Sequence, residues 1–280
     1  MITSTSNPQV KELSRLMKKR RARDEAGVFL VEGPRMIGEL IADDHWQSQI
    51  LKICMSESFA SGHEEKATAL VQRGNRYQSE IFSDAAFVRI SDTRTPQGIL
   101  AVVKRRSYDI ETVINGMYGE KPQAERQPHI LVLDNLQDPG NLGTVFRTAE
   151  AAGATGIILS SDCVDIYNPK VVRSTMGAVF RMPFLYVDDL PGTIGGLKKA
   201  GIRIYAAHLE GINAYDREDY REGCAFLIGN EGNGLRNEIA ECADCRIRIP
   251  MEGKAESLNA AVAASVLMFE VSRQRREHTG

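Results

Sequence analysis

Residues 131–154, LVLDNLQDPGNLGTVFRTAEAAGA, decide how the chain is read. Residues 130–133 form a short apolar run suited to a buried strand, and Asp138-Pro139-Gly140 is turn chemistry that cannot prolong it. Asn141 is expected to cap the following helix. Leu142, Val145, Phe146 and Ala149 recur on one helical face, and Gly153 supplies a left-handed end. Arg147 lies off the apolar face, where by itself it reads as a solvated arginine pairing with Glu150 one turn on.

Downstream, the pattern of strand, turn and helix repeats without repeating its sequence. Strands are expected over 157–159, 184–187, 202–207, 225–228 and 246–249, and helices from Asn168-Pro169, over 193–200 and over 235–242. Ser257 is expected to cap a last helix whose Leu258, Ala261, Val262, Ser265, Val266 and Phe269 trace one face. Alternation of this kind implies a mostly parallel sheet covered on both sides, with ligands at the carboxyl ends of its strands.

Upstream, Asn7 and Pro8 open a helix with Val10, Leu13, Leu16 and Met17 on its apolar side. A smaller α/β unit follows: strand 28–31, a helix carrying Met36, Ile37, Leu40 and Ile41, strand 50–55, helix 64–73, a short strand 76–78, helix 83–88 and strand 99–103. The apolar pattern fades between 107 and 127, where glycine and proline accumulate, so this stretch reads as a linker. Three segments are therefore expected: an N-terminal unit over 1–106, the linker over 107–127, and a larger α/β domain over 128–280.

With 280 residues, 42% hydrophobic and 26% charged, the composition is that of a globular protein, and no apolar run reaches the roughly 20 residues that span a bilayer. The N-terminus lacks the apolar core of a signal peptide, and a cytoplasmic protein without a membrane partner is expected. Five scattered cysteines argue against a disulfide framework, and the Cys242/Cys245 pair has no second pair to complete a zinc site, so no metal is expected. Net charge is −2, but residues 11–23 hold seven basic side chains against one acidic, and Lys104-Arg105-Arg106 forms a second cluster. Such clusters neutralise phosphates or form solvated faces.

Residues 131–154, 168–184 (NPKVVRSTMGAVFRMPF), 227–235 (LIGNEGNGL) and 249–270 (IPMEGKAESLNAAVAASVLMFE) resemble, in order and spacing, the motifs of the SpoU (TrmH-type) RNA 2'-O-ribose methyltransferases of the SPOUT superfamily. LVEGPRMI and SDTRTPQGILAVV resemble phrases of that family's N-terminal RNA-binding domain. The resemblance implies a deep C-terminal trefoil knot, S-adenosyl-L-methionine as cofactor, structured RNA (most simply ribosomal RNA) as partner, and a homodimer. It places the cofactor at Leu209, Gly229, Asn230, Gly234, Ile249 and Leu258, and the acceptor chemistry at Asn141, Arg147, Glu231, Ser257 and Asn259. Arg147 would position the 2'-hydroxyl and stabilise developing oxyanion charge, oriented by Glu231 and Asn141. Lys18, Lys19, Arg20, Arg21 and Arg35 are the expected RNA contacts. Competing readings are a non-catalytic RNA-binding or ribosome-assembly factor of the same fold, transfer RNA as substrate, and a nicotinamide-dependent oxidoreductase. The last lacks an early glycine fingerprint.

Overall fold

The computed structural model describes residues 1–62, 78–117 and 127–278; the expected helix 64–73 and part of the linker lie outside the described residues. The chain divides into two compact units, one of residues 1–106 with 165–180, the other of 107–164 with 181–280.

The first unit is built on a four-stranded sheet in the order β1-β4-β2-β3, from β1 (Val28–Glu32), β2 (Ile50–Ser56), β3 (Gln78–Phe82) and β4 (Ile99–Lys104). β4 pairs antiparallel with both β1 and β2, while β2 and β3 run parallel. Asn7 caps the helix Pro8–Lys18 by accepting from the Gln9 N–H. Its buried Val10, Leu13, Leu16 and Met17 join Ala86, Phe87 and Ile90 of the helix Asp84–Ile90 in one apolar cluster with Leu30, Cys54 and Leu100.

Residues 165–180, expected as part of the larger domain, belong instead to this first unit. Their polar and aromatic groups explain the placement. The Asp165 carboxylate meets the Arg23 guanidinium at 2.6 Å, and Arg23 also donates to the carbonyl of Leu16 at 2.9 Å. Tyr167 lies 4.6 Å from the Phe29 ring, and the Trp46 indole N–H donates to the Phe180 carbonyl at 2.7 Å. Arg23, counted among the basic cluster, is 2% exposed and serves this packing rather than solvent.

The second unit carries a seven-stranded parallel sheet: β5 (His129–Leu133), β6 (Gly156–Ser160), β7 (Phe184–Val187), β8 (Arg203–Ala207), β9 (Asn213–Ala214), β10 (Cys224–Ile228) and β11 (Cys245–Arg248). The order is β7-β6-β5-β10-β8-β11-β9. β5 and β10 are buried throughout, as strands covered on both faces must be. Consecutive residues of β10 and β5 run in register from Cys224 opposite His129 to Ile228 opposite Leu133, so both strands end side by side.

Two helix starts differ from expectation. The helix Pro139–Ala151 is capped by Asp138, whose carboxylate accepts from the Asn141 N–H at 2.8 Å, because Pro139 occupies the first helical turn and pushes the cap back three residues. The last helix runs Ala260–His278 and is capped by Asn259, which accepts from the N–H groups of Ala261 and Val262 at 2.9 and 3.3 Å; Ser257 lies outside it. Its core face is Ala261, Ala264, Leu267, Met268 and Val271, while Val262 and Phe269, expected on that face, are 46% and 47% exposed. A helix apolar on several sides does not reveal by periodicity which stripe is inward.

Candidate active site

The sheet delivers three loops to one edge. β10, β8 and β11 are neighbours, and the segments that leave their carboxyl ends begin at Gly229, His208 and Ile249. The turn after β8 presses on β11: a side chain at Gly211 would come within 2.4 Å of the Ile247 carbonyl carbon, and the His208 N–H donates to the Ile247 carbonyl at 2.9 Å. After β10 the loop closes on itself, Asn230 and Gly234 exchanging backbone hydrogen bonds of 2.9 Å in both directions. A β-carbon on Gly229 would sit 2.1 Å from the Gly234 carbonyl carbon, so glycine is required here by the loop's own backbone.

Glu231, at the tip of this loop, is held over the start of the helix Pro139–Ala151. Its carboxylate accepts from the N–H groups of Gln137 at 3.2 Å and Asp138 at 3.0 Å and from the Asn141 side-chain amide at 3.0 Å. Partial burial pushes the carboxyl pKa up, but the bonds from Asn141 and from the backbone amides outweigh it and hold the group below the usual carboxylate range. The Asn259 amide donates to the Asn141 side-chain oxygen at 3.0 Å. Asn141 therefore bridges Glu231 and Asn259, joining positions 90 and 118 residues distant in the chain. With Asp138 as the cap, the Asn141 side-chain oxygen is left to accept from Asn259 while its NH2 donates to Glu231.

Arg147 is exposed and stands six residues beyond Asn141, about 120° round the helix at 100° per residue. It makes no hydrogen bond or ion pair among the described residues; Glu150 pairs with Arg181 instead. Ser257 is also exposed. Leu209 and Ile212 expose 66% and 87% of their surface beside the loops, with Ile249 and Leu258 half-buried. Apolar side chains left uncovered next to backbone amides and carbonyls at this edge suit a ligand with a flat heterocycle and polar edges. Of the RNA-contact candidates, Lys18, Lys19, Arg20, Arg21 and Arg35 are all exposed. Arg20, Arg21 and Arg35 make exposed intrahelical pairs with Asp24, Glu25 and Glu39. Among the described residues no group of three His, Cys, Asp or Glu is placed to hold a metal, and no helix is long and apolar enough to cross a membrane.

The model of the SpoU rRNA methylase family matches residues 128–269, and that of the MRM3-like substrate binding domain matches 7–101. The chain is 32% identical to the 23S rRNA (guanosine(2553)-2'-O)-methyltransferase RlmP of Bacillus subtilis, over 96% of this chain and 98% of that one. The AdoMet-bound rRNA methyltransferase from Sinorhizobium meliloti superposes with a TM-score of 0.81 at 30% identity, covering 97% of both chains. The SpoU methyltransferase AviRb of Streptomyces viridochromogenes, in complex with AdoMet, gives a TM-score of 0.81 at 28% identity over 96% of this chain and 98% of that one.

Proposed function

The chain belongs to the SpoU rRNA methylase family and is an S-adenosylmethionine-dependent RNA 2'-O-ribose methyltransferase, and we propose that the hydroxyl it methylates lies in ribosomal RNA. The observation that carries the reading of the site is the hydrogen-bonded bridge Glu231–Asn141–Asn259, assembled from three separate motifs at the carboxyl edge of the sheet.

In this reading Gly229, Asn230 and Gly234, with Leu209, Ile249 and Leu258, hold the methyl donor. Exposed apolar side chains cover its heterocycle, and backbone groups take its polar atoms. S-adenosylmethionine, when bound, supplies an electrophilic sulfonium methyl group. The residues' task is then to bring a ribose hydroxyl in line and to support charge on its oxygen as the proton leaves, which orientation and fixed dipoles accomplish. Arg147 is the guanidinium assigned to that oxygen, and Asn141 and Asn259 fix the acceptor side. Ser257 is placed at an RNA phosphate. Glu231, kept ionised by its hydrogen bonds, supplies the matching negative charge that orients the cationic and amide donors.

A single copy leaves Arg147 round the helix from Asn141, which supports a homodimer in which a second copy completes the site. The exposed Val262 and Phe269 on the last helix favour the same reading, since apolar side chains of that size suit burial between subunits. The threaded C-terminal knot and a cytoplasmic setting belong to the proposal as well. So does the assignment of the first unit as RNA-binding and the second as catalytic, with phosphates met by Lys18, Lys19, Arg20, Arg21 and Arg35.

The test is transfer of labelled methyl groups by the purified protein to total RNA from a strain lacking this gene, followed by mapping of 2'-O-methyl positions. Label at one ribose of ribosomal RNA is expected; label confined to transfer RNA, or none, overturns the reading.

A further inference from the structure

The glycine loop is fixed at both of its feet. At the front, the Asn230 side-chain amide donates to the Asn135 carbonyl at 2.8 Å, and its oxygen accepts from the Gly232 and Asn233 N–H groups at 2.9 and 3.2 Å. At the rear, Arg236 grips Asp134. Its backbone N–H donates to Oδ2 at 2.9 Å and its Nε to Oδ1 at 2.7 Å, and one terminal nitrogen also donates to Oδ1. The other terminal nitrogen lies 3.4 Å from Asp162 Oδ2.

The two anchors are consecutive residues just past the end of β5, and Gln137 and Asp138, whose amides hold Glu231, follow one residue later. Asn135 makes the chain turn between them with a left-handed φ of 53°, and its N–H is tied to Ser160 Oγ at 2.9 Å. The Asp134 carboxylate is 0% exposed. Exposed ion pairs contribute little, but a forked guanidinium on a buried carboxylate fixes geometry in a way no single contact does. Because Asn230 and Gly234 pair in both directions, residues 230–234 form a closed turn. A displacement at Arg236 is therefore carried to Glu231 instead of being absorbed between them.

We propose that Arg236 and Asp134 are positioning residues for methyl transfer, holding the glycine loop where the Glu231 carboxylate meets Asn141 and the Gln137 and Asp138 amides. The proposal rests on the assignment of Glu231 and Asn141 to the active site. Asp134 and Arg236 act through Glu231, so their contribution exists only while Glu231 is present.

Steady-state methyl transfer by the full-length protein to total RNA from a strain lacking the gene tests this, with Arg236→Lys, Glu231→Gln and the double variant. Lysine keeps the charge but loses the fork. Arg236→Lys is expected to lower kcat about 10- to 100-fold, with KM for RNA and the melting temperature close to those of the parent. In the Glu231→Gln background the same substitution should cost no more than about twofold, because coupled positions are not additive. Should Arg236→Lys fail to fold, the neutral pair Asp134→Asn/Arg236→Gln, which leaves no buried charge alone, is compared with Glu231→Gln in the same way. A full multiplicative loss in the Glu231→Gln background, or a lower melting temperature with unchanged kcat, overturns the proposal. Glu231→Gln as active as the parent overturns both this proposal and the assignment of the site beneath it.

Discussion

The two ends of β5 treat polar groups in opposite ways. At the carboxyl end, Asp134 is followed by Asn135, Gln137, Asp138 and Asn141, whose groups are paired so that Glu231 and Asn141 stand presented at the surface. At the amino end polar groups are shut in. His129 is 1% exposed, Cys224 opposite it in β10 is also 1% exposed, and the Arg275 guanidinium of the last helix spans the carbonyls of Tyr220, Gln127, Pro128 and Glu222 at 2.7–3.1 Å. One strand thus ends in a presentation platform and begins in a seal. The lesson is that a polar group's burial does not tell its role; what its partners leave free does.

If that contrast is right, substitutions at the carboxyl end should abolish turnover and spare the fold, whereas those at the amino end should do the reverse. Arg147→Ala and Asn141→Ala are expected to lower kcat for methyl transfer by about 10³-fold, equivalent to roughly 4 kcal/mol of transition-state stabilisation. Their urea midpoints should stay near the parent's. Kinetics and denaturation on the same preparations check both halves, and turnover within tenfold of the parent would remove these side chains from the chemistry.

Arg275→Met should cost about 3 kcal/mol of stability, because it strips hydrogen bonds from four carbonyls at a partly buried site. Methyl transfer by the folded protein at low temperature should be retained. A chemical denaturation curve unchanged from the parent would dissolve the seal.

His129 sharpens the same comparison through pH. Burial, aided by the Arg275 charge, drives its pKa down from 6.5 to about 3. Between those values the unfolded chain binds a proton that the native chain refuses, so stability is complete above pH 6.5 and falls as pH drops toward 3. At pH 5 the loss amounts to about 2 kcal/mol. His129→Leu should remove that increment, so urea curves at pH 7 and pH 5 should lie closer together in the variant; an equal separation in both proteins would show that the native chain binds a proton at His129 as readily as the unfolded one, and that the seal does not exclude it.

Much of this platform was legible before any coordinates. The strand, turn and helix of 131–154 could be read because an apolar run, Asp-Pro-Gly and a four-residue periodicity agree at one place. Asn141, Glu231 and Asn259 were reachable through motif resemblance, though their contact was not, since it depends on which parallel strands lie side by side. A cap is ambiguous in sequence where two capping residues stand within three positions, as Asp138 does with Asn141 and Ser257 with Asn259; at the first, Pro139 discriminates between them. Asp134 and Arg236 carry no signal in the sequence for a different reason. Separated by 102 residues, they look like an ordinary strand end and an ordinary loop arginine until β10 is laid beside β5. The transfer of 165–180 to the first unit was likewise invisible, because what draws it there is a buried Arg23 that reads as one more basic residue in a charged helix.

The smallest effect concerns Asn259, which stands on both sides of the comparison at once: its side-chain oxygen caps the last helix, and its amide nitrogen reaches Asn141. Aspartate separates the two roles. A carboxylate accepts from the Ala261 and Val262 N–H groups as well as the amide does, and its charge is favourable at a helix N-terminus, but it has no proton to give the Asn141 oxygen at neutral pH. Asn259→Ala should therefore lose about 1 kcal/mol of stability together with activity, while Asn259→Asp keeps the stability and loses only the activity. Thermal melts paired with methyl-transfer rates read the two apart. Equal melting losses in both variants would mean that the amide, and not the cap, is what Asn259 contributes to the fold, and the division between presenting and sealing groups would then fail at the residue where it is drawn most finely.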